Sequence, residues 1–446
     1  MLHKALIIGG GISGLSTAYY LSKAGVRPTL IEKAPRVGGV IQTTVQQDCV
    51  LEAGPDGFMA AKPAAMSLIR ELGLADQVMG SNDHSRVTYI VKKGRLVPMP
   101  DGLMMMVPTK IMPLVGTPLL GWGTKIRMGL EFLRWPKGRQ PDRSVYDFLM
   151  DHYGQESIDY LAEPLLAGVY GGDPRQMSVN SVLARFVEIE AKYGSLTRGV
   201  LAQPRPKSSG SSSFLLTLKN GLGQLIEALR PFADVVHGSA EALEEHANGY
   251  RVRADGDWIE AENVVLATSA RDGAKLLGSS QKELADLLGA IPYTTSITLS
   301  LGYQKSTFDH PLAGHGFLVP KRERKYILGC TWVGNKFDHR VPDDKVVVRC
   351  FMGGDALPLT DEALVEAARG ELRSIMGLEA APVFYSVARW PNSMAQYTVG
   401  HQKRVERIEA IMQSLPRLHL AGNYFHGIGI PDCVRMGKEA AERITS

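Results

Sequence analysis

The sequence predicts an α/β fold: one domain assembled from three separated stretches, a second domain built on a mixed sheet, and a helical subdomain. Three observations predict it. The chain opens with strand, glycine turn, helix and strand within its first forty residues. The last thirty repeat that grammar, with an apolar run at 418–421, glycine turns through Gly429 and a helical pattern over 431–444. Between them lie strand-rich stretches interrupted by a helical segment, the order expected of a discontinuous α/β domain with insertions.

The elements follow in order. Residues 4–8 form a short β-rich run, and Gly9-Gly10-Gly11-Ile12-Ser13-Gly14 is a tight turn. Leu15, Ala18, Tyr19 and Ser22 then recur at helical spacing, and Gly25 stands where a helix C-terminal glycine belongs. A second strand spans 28–31 and ends at Glu32. From about 101 to 201 methionine and leucine are frequent and helical patterns such as 144–152 dominate. Residues 203–213 (QPRPKSSGSSS) read as a linker or mobile loop. A helix at 222–229 and strands to 267 follow. Apolar or alternating runs at 291–302, 316–319, 325–333 and 345–351 predict an antiparallel sheet. The domain boundaries expected are 1–85, 202–285 and 395–446 for the nucleotide domain, 86–100 and 286–394 for the second domain, and 101–201 for the helical subdomain.

Composition narrows the classes. The net charge is +4, too small to point to nucleic acid, and it suits a small anionic ligand or an anionic lipid surface. Four cysteines, Cys49, Cys330, Cys350 and Cys433, are too few for a disulfide framework, and their spacing suggests no structural zinc site; a reducing, cytosolic compartment is expected. The run 5–8 leads into the glycine turn rather than a signal-peptide cleavage site. The uncharged stretches 111–124 and 287–304 are short or broken by proline, so no membrane span is expected. Glycine is over-represented, 47 of 446 residues against an average of about 7%, so the backbone must turn tightly or approach something closely at many points.

The glycine turn supplies the chemistry. Gly9, Gly11 and Gly14 form a GxGxxG motif directly between a strand and a helix, and Glu32 lies 18 residues beyond Gly14 at the end of the next strand. In such a Rossmann-type unit the first glycine makes the turn, the second admits a pyrophosphate, and the third lets helix pack on strand. The helix N-terminus offers free N–H groups to phosphate, and the Glu32 carboxylate accepts from ribose hydroxyls, which disfavours NADP.

The next residues separate FAD from NAD. Glu32-Lys33-Ala34-Pro35-Arg36-Val37-Gly38-Gly39 carries a second glycine pair, and Gly54-Pro55-Asp56-Gly57 another tight turn. With 263–268 and with Gly422-Asn423 and Gly427-Ile428-Gly429-Ile430 near the C-terminus, this resembles the FAD-dependent amine oxidase, porphyrinogen oxidase and carotenoid desaturase superfamily. Over nearly its whole length the chain is most similar to oxygen-dependent protoporphyrinogen/coproporphyrinogen oxidases, on the stretches 164–174 (PLLAGVYGGDP), 193–196, 314–320 (GHGFLVP), 351–354 and 389–401. The resemblance implies a Rossmann-type FAD-binding domain and six-electron oxidation of a porphyrinogen with O2, releasing H2O2. For the cofactor it implies Gly9, Gly11, Ile12, Ser13, Gly14, Glu32, Lys33, Arg36, Gly38, Gly39, Gly54, Pro55, Asp56, Gly57, Trp390, Gly422, Asn423, Ile428, Gly429 and Ile430. For the substrate it implies Arg86 on a propionate, the Gly168 carbonyl facing the pyrrole N–H groups, Leu318 and Thr331 clamping one ring and Phe351 stacking on another. His315 and Thr331 depart from the family's larger apolar residues and make the pocket more polar.

No triad or metal site is expected, since the flavin carries the redox chemistry. His315, His401 and His426 read first as structural histidines. The cations Lys92, Lys93, Arg95, Lys321, Arg322, Arg324 and Lys325 suit a more anionic substrate or a solvated hairpin equally. The Met-rich stretch 103–133 reads as the core of a helical subdomain, with a peripheral membrane patch or substrate entrance as its alternative. Porphyrinogen and O2 are the expected partners, and contact with ferrochelatase or other haem-synthesis enzymes and a homodimer stay open. A flavin amine oxidase is the competing function, but it commonly has an aromatic where this chain has Gly429; a polyene desaturase leaves 164–174 unexplained.

Overall fold

The computed structural model describes residues 2–203, 213–278, 280–308 and 310–446. Residues 204–212 of the expected linker lie outside them. The chain divides into one unit of Met1–Ser81, Ser213–Tyr293 and Gln402–Ser446, and another of Asn82–Ser212 and Thr294–His401.

The first unit is built on a seven-stranded sheet. Strands Asp234–His237, Thr29–Glu32, His3–Ile8, Asp257–Leu266 and Leu418–Leu420 run parallel. The C-terminal half of Asp257–Leu266 lies between His3–Ile8 and Leu418–Leu420, and its N-terminal half pairs antiparallel with Gly249–Ala254, which pairs in turn with Ala240–His246. Leu6, Ile7, Val264, Val265 and Leu266 are fully buried, as in a parallel strand covered on both faces. Helix Ile12–Lys23 ends at Ala24, and Gly25 follows with φ +83°. Helix Ile430–Thr445 packs so closely on it that a Cβ on Gly437 would sit 2.5 Å from the Ser13 carbonyl oxygen.

The second unit holds a sheet in the order Phe384–Ala395, Tyr293–Gln304, Lys345–Met352, Ile327–Trp332, Gly316–Leu318, Thr88–Lys92, Arg95–Pro98. The sheet is not wholly antiparallel: Gly316–Leu318 pairs parallel with Thr88–Lys92, because the latter arrives from a distant part of the chain rather than through a hairpin. One face packs Ile297, Leu299, Phe317, Cys330 and Cys350 against Leu364, Ala368 and Leu372 of helix Asp361–Met376. That helix is well delimited. Thr360 caps its N-terminus, Asp361 and Glu362 sit in its first turn, and Gly377 closes it in a left-handed conformation. A separate helical core gathers Leu114, Leu119, Phe148, Leu161, Leu183 and Leu196, with Ile90 and Leu318 of the sheet packed into it.

The boundaries differ from those expected, for local reasons. The first unit keeps the chain to Ser81 because Val78–Gly80 pairs with Leu215–Leu218. The second keeps it to His401 because Ser178 N–H donates to the Tyr397 carbonyl and Gly400 N–H to Asp142. The 101–201 segment shares a unit with the sheet rather than standing alone. The Met-rich stretch divides: Met106, Val107, Leu114 and Met128 are core, while Ile111, Met112, Trp122 and Leu130 are exposed.

Candidate functional site

In the first unit the expected nucleotide residues converge on the carboxyl ends of the parallel strands, where such sheets bind ligands. Gly9 follows His3–Ile8 with φ +104°, and a Cβ there would lie 2.6 Å from the Ala267 carbonyl oxygen. A Cβ on Gly14 would lie 2.0 Å from the Gly9 oxygen, so helix Ile12–Lys23 meets its strand with no room for a side chain. Gly11 has nothing within 4 Å of its Cβ position, and its backbone is open where a pyrophosphate has to approach. No acidic residue occupies the first turn of the helix to oppose an anion.

Glu32 holds the neighbouring corner. Its Oε2 accepts from Gly10 N–H at 2.7 Å and its Oε1 from Ala34 N–H at 2.7 Å, which fixes the carboxylate while leaving lone pairs for ribose hydroxyls. The second glycine pair folds onto the first. Gly38 N–H donates to the Gly10 carbonyl at 2.7 Å, and a Cβ on Gly39 would sit 3.3 Å from Gly11 Cα. Gly422 lies beside the Thr268 carbonyl. Gly429 is the N-cap of helix Ile430–Thr445, and Asp432 Oδ2 accepts from its N–H at 3.3 Å. Gly54 passes so near Val40 that a Cβ would overlap the Val40 carbonyl oxygen, and Pro55, Asp56 and Gly57 continue it half-buried. The open glycine backbone and the fixed carboxylate fit the adenosine diphosphate half of FAD.

Two expected cofactor residues spend their side chains on other partners, and a third lies in the second unit. Arg36 donates to the carbonyls of Val37, Gly39 and Ile41 and to Gln42 Oε1, so its side chain knits the second glycine loop. The Lys33 ammonium pairs with Asp272 at 3.1 Å. Trp390 lies in the second unit, on the edge strand Phe384–Ala395. Sequence reading missed two residues that seat this site. Glu52 accepts from Leu222 N–H (2.7 Å) and Thr43 Oγ1 (2.8 Å), setting helix Gly223–Leu229. Asp432 pairs with Lys62 at 2.6 Å; Pro at the second helical position and Asp two residues beyond Ile430 is a helix-start signal that points to it.

In the second unit, register brings the substrate candidates together. Leu318 pairs with Gly329, and Gly329 with Phe351, in one row across three strands. Thr331 stands two residues from Gly329, paired with Arg349 in the next row of the same face. Leu318, Thr331 and Phe351 are all half-buried. Gly329 leaves the room that Leu318 fills, since a Cβ there would lie 2.9 Å from Leu318 Cδ2. Arg349, which the sequence reading passed over, is buried with its guanidinium 4.7 Å from the Phe351 ring centre.

The stretch 164–174 is mostly helix. Glu163–Tyr170 is helical, entered through a π-helical turn at Ile158–Ala162 and closed by Gly171 with φ +60°. The leucine and alanine run favours helix, and glycine tolerates the left-handed cap. This helix meets the sheet face at Gly168, whose Cβ would lie 3.2 Å from Leu318 Cδ2. Of the last helical carbonyls, Ala167 accepts from Gly171 N–H and Tyr170 from Gln396 Nε2 (2.7 Å), while among the described residues no hydrogen bond reaches that of Gly168. An orphan carbonyl at an exposed helix C-terminus carries partial negative charge and calls for a donor.

The helix is anchored at both ends. Glu163 accepts from Lys321 N–H and Arg324, and Gln396 Nε2 also lies 3.0 Å from Thr294 Oγ1. No local pattern marks Gln396, because two of its partners, Tyr170 and Thr294, come from distant segments. Arg86 is exposed and immediately precedes strand Thr88–Lys92. His315 Nε2–H donates to the Asn82 carbonyl (3.0 Å), and burial pushes its pKa down, so it is neutral near pH 7. His401 stacks on Tyr397 and His426 pairs with Glu409. The hairpin cations are largely spent: Lys321 on Asp173, Arg322 on Asp159, Arg324 on Glu163, Lys92 on Glu156.

Comparison with known proteins agrees with this arrangement. Residues 12–445 match the model of the flavin containing amine oxidoreductases. The chain is 32% identical to coproporphyrinogen III oxidase of Bacillus subtilis, over 98% of this chain and 96% of the relative. It is 28% identical to protoporphyrinogen oxidase of Bos taurus, over 100% and 98%. A crystal structure of a protoporphyrinogen oxidase candidate from Exiguobacterium superposes with a TM-score of 0.88 at 29% identity, covering 99% of this chain and 98% of that one. With its dinucleotide fold, its glycine and Glu32 cradle and this match across the chain, the protein belongs to the flavin containing amine oxidoreductase family and is an FAD-dependent oxidoreductase.

Proposed function

We propose that the protein is a porphyrinogen oxidase of haem biosynthesis, with coproporphyrinogen III as its preferred substrate. The observation that carries the reading is the Gly168 carbonyl, unpaired among the described residues, at the helix end that meets the row of Leu318, Gly329 and Phe351. A porphyrinogen is a broad apolar ring with inward N–H donors and acidic arms. The apolar row takes the ring edges, the carbonyl takes the pyrrole N–H groups, and the exposed Arg86 takes a propionate through its planar fork. FAD held by the glycine turn and Glu32 would supply the redox chemistry, a six-electron oxidation with O2 as the final acceptor. This chain's residues orient the ring and shield it from side reactions. The higher identity to a coproporphyrinogen oxidase supports the substrate choice, as do the polar His315 and Thr331. The free, buried cysteines fit a reducing compartment, and the cytoplasm is the proposed location. The porphyrin product would pass to a metal-inserting enzyme such as ferrochelatase.

Anaerobic mixing with coproporphyrinogen III should bleach the flavin absorbance, with a higher kcat/KM than for protoporphyrinogen IX. If neither porphyrinogen reduces the flavin, the reading fails. Gly168→Val puts a branched side chain between the helix end and Leu318. At an overpacking cost of about 1–3 kcal/mol, KM should rise by about five- to 150-fold with FAD content unchanged. An unaltered KM would remove Gly168 from the substrate site.

A further inference from the structure

Phe351, on the central strand Lys345–Met352, has small neighbours on its face of the sheet. Its partners across the flanking strands are Thr298 and Gly329. Two residues further along its own strand, Gly353 continues the extended backbone (φ −171°) and offers no side chain. Two of the four positions around the half-buried ring are therefore glycine, and a third is threonine. The fourth is Arg349, two residues earlier and so on the same face. Arg349 is only 2% exposed, and its guanidinium carbon lies 4.7 Å over the Phe351 ring centre. Its own cross-strand partners, Ser300 and Thr331, are small enough to let the long side chain lie along the strand toward Phe351.

A guanidinium over a phenyl face has two consequences. The first is orientation. A ring beside two glycines has room to swing, whereas a planar cation stacked on one face holds the ring and leaves the opposite face for a ligand. The second is electronic. The cation draws on the negative face of the ring quadrupole, so the opposite face becomes a better stacking partner for an electron-rich ring. Pyrrole is such a ring, because its nitrogen lone pair belongs to the aromatic system. The same charge makes that face a poor seat for a protonated amine, the ligand of the competing amine oxidase function. Lysine is no substitute, since an ammonium is a point charge without a plane.

We propose that Arg349 is a positioning and specificity-determining residue: it holds Phe351 with one face toward the substrate and tunes that face for a pyrrole ring. The inference rests on the porphyrinogen reading above. The test mixes the FAD-loaded chain anaerobically with coproporphyrinogen III over a range of concentrations, which yields a Kd and a limiting rate of flavin reduction. Arg349→Met should raise Kd about two- to tenfold while the limiting rate holds. Phe351→Leu should raise Kd by a similar factor. In the Phe351→Leu background Arg349→Met should add less than about twofold, because the guanidinium acts through that ring. Effects that multiply in the double variant would show a structural role independent of Phe351 and overturn the proposal. Arg349→Lys keeps the charge and loses the plane, so it should bind as weakly as Arg349→Met; full recovery of Kd by Arg349→Lys would overturn it too. If Arg349→Met does not fold, Arg349→Lys takes its place in the double-variant comparison. A wild type reduced by coproporphyrinogen III, with Arg349 variants of equal Kd, removes only the role of Arg349. A wild type that no porphyrinogen reduces removes the reading on which it rests.

Discussion

Glu131→Ala is expected to lower the unfolding free energy by about 1–3 kcal/mol for each buried donor it leaves unmade. Glu131 and His152 are both buried, with His152 Nδ1 2.8 Å from Glu131 Oε1 and Nε2 3.0 Å from Glu190 Oε1. Arg143 in turn binds Glu190 at 2.7 Å. The other Glu131 oxygen accepts from Ser195 Oγ at 2.8 Å and from Thr197 N–H, and Oε1 also takes Leu196 N–H at 2.6 Å. One carboxylate therefore joins the end of helix Trp122–Glu131, the end of Val145–His152 and the first turn of Leu196–Ala202. Its removal strands several donors in an apolar core, each of which costs free energy when left unmade. A lower Tm and urea midpoint would register the loss; an unchanged midpoint would show that the cluster contributes nothing net.

The same cluster sets an acid limit. Burial pushes the Glu131 carboxyl up, but the hydrogen bond and charge of His152 and the Leu196 N–H outweigh it and hold it below its ordinary value. Glu190 behaves alike, through His152 and Arg143. Carboxyls with depressed pKa contribute stability that is present above their unfolded value, about 4.3, and lost as pH falls through the folded one. Wild-type stability should therefore fall below about pH 4, and Glu131→Ala should flatten that part of the profile.

Gly14→Val should yield protein with little or no FAD. The new Cβ would stand 2.0 Å from the Gly9 carbonyl oxygen, and because the backbone fixes Cβ, no rotamer change relieves the overlap. Either helix Ile12–Lys23 moves off its strand or the Gly9 turn opens, and both displace the N–H groups meant for the pyrophosphate. An overpacking cost of about 1–3 kcal/mol, felt wholly at the binding site, weakens FAD binding about five- to 150-fold. Flavin absorbance per protein measures it directly, and added FAD should raise the Tm of the wild type far more than that of the variant. Full occupancy in the variant would mean that the close packing at Gly14 is dispensable.

The nucleotide half of the molecule was legible because its requirements are local. A strand, a turn that only glycine can make, a helix start and a carboxylate one strand later are separated by a few residues, and each leaves its mark in the chain. The return at Asp257–Leu266 and the Gly422–Gly429 segment were legible for the same reason. Arg36 and Lys33 show the limit: residue type and position do not disclose which neighbour a long cationic side chain will satisfy, here loop carbonyls and Asp272.

The second unit was only partly legible. Apolar runs located its strands, and the resemblance named Gly168, Leu318, Thr331 and Phe351, but register and strand order placed the last three on one face. Periodicity cannot state those, since a one-residue slip would turn every side chain to the other side. The exposure of Trp122 and Leu130 is likewise invisible in a sequence, where an amphipathic pattern does not say which side the core takes. By itself, then, the sequence determined the dinucleotide fold, its glycine cradle and the family. Tertiary structure alone decided that helix Glu163–Tyr170 ends over Leu318 with an unspent carbonyl, that Gln396 and Glu163 hold that end, and that Glu131 is the hidden joint of three helices. Backbone conformation is written in neighbouring residues. A hydrogen bond or contact between distant segments exists only after the chain has closed.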